Sequence, residues 1–163
     1  MIKHTEAAVL YETNSDLVVE NLNLAAPGPK EVFVQMGAAG VCHSDVHVIS
    51  GQANQIMPCV LGHEGAGLVT SIGKEVNNVS VGDHVVLSWL PYCGKCYQCV
   101  RGKTHLCKAY QTPVGNGTLL DGSCRFSNLE GPVRQLGSLG CWSENVVVPE
   151  VCCVPVDKSI PFE

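Results

Sequence analysis

Residues 62–76 read GHEGAGLVTSIGKEV, and their pattern G-H-E-x-x-G-x5-G-x-x-V, from Gly62 to Val76, decides how the rest of the chain is read. His63 and Glu64 sit inside VLGHEGAGLV, between two apolar runs, where a strand gives way to a turn. The stretch GAAGVCHSD offers a second such place, with Cys42 at its end. A thiolate and an imidazole are ligands of the kind found in catalytic zinc sites, which use three protein ligands and leave a fourth position open. Taken alone, a single Cys and a single His belong more often to a core than to a metal.

A second constellation is self-sufficient. Cys93, Cys96, Cys99 and Cys107 form C-x-x-C-x-x-C-x7-C, and loops this short turn the first three thiols toward one centre. Four thiolates satisfy a tetrahedral structural zinc and leave no position for water, so such an ion holds a loop together and does no chemistry. Cysteines this close pair poorly with one another as disulfides. An iron–sulfur ligand run would place its fourth cysteine after three residues and follow it with Pro; here the gap is seven.

The remaining composition bounds the possibilities. A chain of 163 residues with 45% hydrophobic and 15% charged residues, 17 Gly and 9 Pro is that of one turn-rich domain able to hold a core. The net charge of -5, without a basic run, disfavours nucleic acid. No apolar stretch approaches a membrane span or a signal peptide, so no membrane partner and a cytoplasmic location are expected.

Short apolar runs punctuated by Gly and Pro read as strands at 7–11, 17–24, 32–36, 68–72, 84–88 and 145–148. Only His43 to Ser50 reads as helix for more than a turn. The expectation is a single, mostly β domain over residues 1–163 with short helices and a cysteine lobe over about 90–110. No G-x-G-x-x-G fingerprint is found, so a nucleotide-binding domain is expected to be missing.

The Gly62–Val76 pattern resembles the zinc signature of the medium-chain dehydrogenase/reductase superfamily, and Cys42-His43-Ser44-Asp45 together with the four-cysteine lobe resembles its zinc alcohol dehydrogenases. The stretches from Asp121-Gly122 to Arg125-Phe126 and from Gly137 to Val148 extend the resemblance over nearly the whole chain. It implies an N-terminal, GroES-like catalytic domain built on a partly open β-barrel, and oxidation of an alcohol to an aldehyde or ketone by hydride transfer to NAD or NADP from a zinc-bound alkoxide. Cys42 and His63 would be ligands of that catalytic zinc, with Glu64 an acidic neighbour able to approach it.

Other roles follow from the same resemblance. Ser44 and His47 match its proton relay, a duty suited to imidazole, whose charge changes near neutral pH. Asp45 matches the carboxylate that orients the ligand histidine. His43 stands where a basic residue approaches the cofactor pyrophosphate, and Trp89 matches an aromatic wall of the substrate pocket. Each has a plainer alternative: Ser44 as a helix cap, His43 and His47 as exposed neighbours at i and i+4, Asp45 as a first-turn acid, Trp89 as core. Cys152 and Cys153 read as core thiols.

The third ligand in the family follows a segment resembling Pro161-Phe162-Glu163. The expectations are therefore a filled structural site, an empty or weakly held catalytic site, no turnover by the chain alone, and self-association through an apolar face. The rival reading is a non-catalytic zinc scaffold, which has no need of Ser44, His47 or the G-H-E motif.

Overall fold

In the computed structural model, which describes residues 3–162, two five-stranded sheets share one core. The first closes on itself. Strand β1 (Lys3–Leu10) pairs antiparallel with β2 (Val18–Leu24), β2 with β7 (Phe126–Asn128), β7 with β8 (Gly131–Gln135), β8 in parallel with β4 (Cys59–Val60), and β4 returns to β1. The second is open, in the order β10 (Cys153–Val156), β6 (His84–Leu87), β5 (Gly65–Ile72), β3 (Glu31–Ala39), β9 (Asn145–Pro149), and all its pairs are antiparallel. The partly open barrel expected from the sequence is thus a small closed barrel with an open sheet beside it.

Two strands of the open sheet are buried in continuous runs, β3 at Val32–Val34 and β9 at Val146–Pro149. Phe126, Leu22 and Leu24 from the barrel meet Val32, Val34, Val69 and Val146–Val148 from the open sheet in one buried cluster. Each such side chain contributes about 1.5–3 kcal/mol by leaving water. The half-buried Arg125 ties the sheets from outside the core: its guanidinium donates to both carboxylate oxygens of Glu31 at 2.8 and 2.6 Å and to Asp121 at 3.1 Å.

Helix α1 (His43–Ile49) agrees with the sequence reading. A second helix, α2 (Lys108–Gly115), does not, because Pro113 inside it and its low apolar content hide it from periodicity. No helix among the described residues is long and apolar enough to cross a membrane.

Candidate metal centres and substrate cleft

The lobe brings Cys93, Cys96, Cys99 and Cys107 together, one sulfur from each lying within 4.8 Å of the others. Sγ of Cys99 is 4.0 Å from that of Cys93 and 3.5 Å from that of Cys96, which lies 4.0 Å from that of Cys107. Tetrahedral bonds of about 2.3 Å to one ion would space the sulfurs by roughly 3.8 Å, so the donor set fits zinc in chemistry and in size. Short 3-10 turns at Cys99–Arg101 and Thr104–Leu106 shape the loop.

Electrostatics in the lobe favour a cation. Backbone N–H groups, that of Cys99 foremost, push the Cys96 thiol down to about 6. Burial and the neighbouring Cys96 push Cys99 up to about 11. Four converging thiols cannot all ionise while a positive ion is lacking, and a divalent ion resolves that conflict. Lys95, Arg101, Lys103 and Lys108 surround them, all exposed, and the chain from His84 to Leu120 carries no carboxylate. The acidic balance of the whole molecule is therefore not that of the lobe.

The second centre forms where β3 ends and where β4 turns into β5. Cys42, His63 and Glu64 each direct one ligand atom into a space 4.8 Å across. Asp45 organises them: fully buried in the first turn of α1, it accepts hydrogen bonds from Cys42 N at 3.1 Å and from Gly62 N at 3.1 Å, while its Oδ1 lies 3.2 Å from His63 Nδ1. With Nδ1 held by the carboxylate, Nε2 keeps its lone pair for a metal. Asp45 also lies in the first turn of α1, as its plainer alternative has it.

Ser44 is not the helix cap, a position held by Cys42. Its hydroxyl instead lies 3.2 Å from Cys42 Sγ and 3.2 Å from His63 Nε2, beside the site a metal would occupy. The His43 and His47 rings pack edge to face with centroids 4.8 Å apart, His43 exposed and His47 half-buried. Trp89 is not core: it is 47% exposed, and its ring stands 6.1 Å from that of His63. Cys152 and Cys153 are buried in the main core and belong to neither ligand cluster.

Gly62 is required by geometry. Its φ is +86°, and a Cβ there would come 2.4 Å from the Trp142 ring. Trp142 closes the back of the site, donating its indole N–H to Gly40 O at 2.9 Å and its backbone N–H to Leu61 O at 3.0 Å. Gly67 is required by close approach, since a Cβ would lie 2.2 Å from Gln35 O on the neighbouring strand.

A cleft of about 300 Å³ opens from Ser44 and His63, walled by Val48, Trp89, Val114 and Leu136. Sequence reasoning found Trp89 but missed Trp142, Val114 and Leu136. The last two carry no spacing signal, because they come from α2 and from the turn after β8.

A mostly β domain with a four-thiol lobe and a Cys/His/carboxylate centre beneath an apolar cleft defines a class, the zinc-binding domain of dehydrogenases. Residues 28–158 match the alcohol dehydrogenase GroES-like domain, and the chain belongs to that family. It is 40% identical over 159 residues to an S-(hydroxymethyl)glutathione dehydrogenase of Saccharomyces cerevisiae, covering 96% of this chain and 41% of the relative. An alcohol dehydrogenase zinc-binding domain protein of Burkholderia ambifaria superposes with a TM-score of 0.93 at 29% identity, over 99% of this chain and 44% of that one. Benzyl alcohol dehydrogenase of Acinetobacter calcoaceticus superposes with a TM-score of 0.89 at 32% identity, over 98% and 43%. The chain thus spans about two fifths of the length of the relatives it matches.

Proposed function

We propose that this chain is the catalytic domain of a zinc-dependent alcohol dehydrogenase that interconverts an alcohol and an aldehyde or ketone with NAD or NADP. The observation that carries the reading is the Ser44 hydroxyl held 3.2 Å from both Cys42 Sγ and His63 Nε2, a placement of no use to a scaffold. Cys42 and His63 would hold the zinc, which would supply a Lewis acid for the alcohol oxygen, and NAD or NADP would supply the hydride acceptor.

The chain's own residues handle the proton. Ser44 Oγ accepts a hydrogen bond from the substrate hydroxyl and passes that proton outward, toward His47 on the same helix. Asp45 keeps the His63 ring in one orientation, and Glu64 adds a carboxylate at the edge of the centre. His43, exposed beside His47, would be the residue to meet the cofactor's phosphates. Trp89 walls the substrate side. The lobe zinc, enclosed by four thiolates, has a purely structural duty.

Two protein ligands and a loosely placed carboxylate hold zinc weakly, so we place the third strong ligand and the nucleotide-binding domain outside these residues. The isolated chain then does not turn over. Val41, Val46, Trp89 and Leu90 expose apolar surface near or beside the site, which favours docking of a further domain or self-association. A reducing compartment such as the cytoplasm suits ten unpaired thiols, several of them metal-ligating.

Cobalt substitution tests the reading. One Co2+ should enter the lobe and give a visible spectrum indifferent to added ligand, and excess Co2+ should fill a second site whose bands shift with trifluoroethanol. Second-site bands that ignore the alcohol would leave only the scaffold.

A further inference from the structure

Resting on that reading, we infer that the cleft selects uncharged alcohols and aldehydes bearing a compact apolar, preferably aromatic, group, and excludes anionic adducts such as those of glutathione. Four observations converge on this preference.

The cleft is small, about 300 Å³, at the lower end of the range for small-molecule sites. Beyond Ser44 and His63 its lining is mostly apolar, with Val48, Ala53, Val114 and Leu136. Trp89 supplies an aromatic surface next to the reacting end, where ring stacking or edge-to-face contact adds to burial.

The other polar side chains of the lining, Asn54 and Gln55, are neutral amides, and no lysine or arginine lines the cleft. A carboxylate entering it would lose water without gaining a cation, a cost that a neutral ring does not bear. The exposed Glu64 beside the centre adds like-charge repulsion. The cations that could have served an anion, Lys95, Arg101, Lys103 and Lys108, sit on the lobe and none belongs to the lining.

Val114 is the residue that sets the limit. Cys107 stands at the N-cap position of α2, and Val114 near its other end enters the cleft wall, so the helix joins an apolar wall residue to the four-thiol lobe. Beta-branching leaves that side chain few rotamers with which to make room for a larger group.

The test is a 15N NMR titration of the zinc-loaded 163-residue chain with benzyl alcohol and, separately, with S-methylglutathione. Benzyl alcohol should shift the Val48, Val114 and Leu136 amides along one saturating curve. S-methylglutathione should leave them in place until its concentration is at least about tenfold higher. Val114→Arg, checked for folding by its spectrum, should weaken benzyl alcohol and strengthen the anion, each by about tenfold.

An anion that shifts those amides at the same concentration as benzyl alcohol, or benzyl alcohol that shifts none of them, overturns the inference. The cobalt experiment separates this from the dehydrogenase reading: a second site blind to alcohols sinks that reading while the cleft's preference stands, and anion binding in the cleft does the reverse.

Discussion

Asp45 Oδ1 lies 3.2 Å from His63 Nδ1, and the same carboxylate accepts the backbone N–H groups of Cys42 and Gly62, so one buried side chain positions both strong donors of the second metal centre. Asp45→Asn keeps the shape but replaces one acceptor oxygen with a donor and removes the charge facing the imidazole. Metal affinity at Cys42 and His63 should fall about 10–100-fold. Competitive Co2+ titration checks this, and the four-thiol site, which Asp45 does not touch, should bind unchanged.

Gly62→Ala places a side chain at φ +86° and forces a Cβ to within 2.4 Å of the Trp142 ring. The backbone strain alone costs about 1–3 kcal/mol, and displacement of Trp142 adds to it. Thermal denaturation followed by near-UV circular dichroism should show a lowered midpoint. An unchanged midpoint would mean that the turn before His63 is not the tight one described.

How much of this was legible in the sequence follows from the kind of signal each part carries. Six strands announced themselves because each carries an apolar run bounded by turn residues, alternating in β2 and continuous in β9. β4 has only two residues, β7 has three, and β8 and β10 contain Pro132 and Pro155, so pattern could not find them. The lobe was legible because its four ligands lie within fifteen residues. Of the cleft's lining the sequence singled out Ser44, His63 and Trp89, while Val114, Leu136 and the Trp142 buttress are ordinary apolar residues given meaning by tertiary contact.

Acid should loosen the loop that Arg125 anchors. Although burial works the other way, hydrogen bonds from Ser123 and the Arg125 guanidinium hold Asp121 below the usual carboxylate range. A depressed carboxylate contributes stability that is fully present above its unfolded value of about 3.9 and is lost as pH falls through the folded value. The stability difference between wild type and Asp121→Asn should thus be constant from pH 6 to 8, by our estimate up to about 1 kcal/mol, and shrink below about pH 4. Urea melts across that range measure it, and a difference that grows in acid would reverse the assignment.

Chelation should act first on the lobe. Stripping the metal leaves like-charged thiolates converging and frees Cys107, the residue from which α2 starts, so residues 93–115 should become sensitive to protease while the two-sheet core stays protected. Limited proteolysis with and without a zinc chelator, read by mass spectrometry, locates the cuts. Cuts spread evenly over the strands would show that the lobe and core melt together.

The most direct test of two unlike metal centres is zinc per chain, by elemental analysis of reduced protein, in wild type, Cys93→Ser and Cys42→Ser. The account predicts about one zinc in wild type, lost or much reduced in Cys93→Ser and kept in Cys42→Ser, because a closed shell of four thiolates binds far more tightly than the Cys42 and His63 pair. Zinc absent from the reduced wild-type chain, or retained in Cys93→Ser and lost in Cys42→Ser, would contradict it.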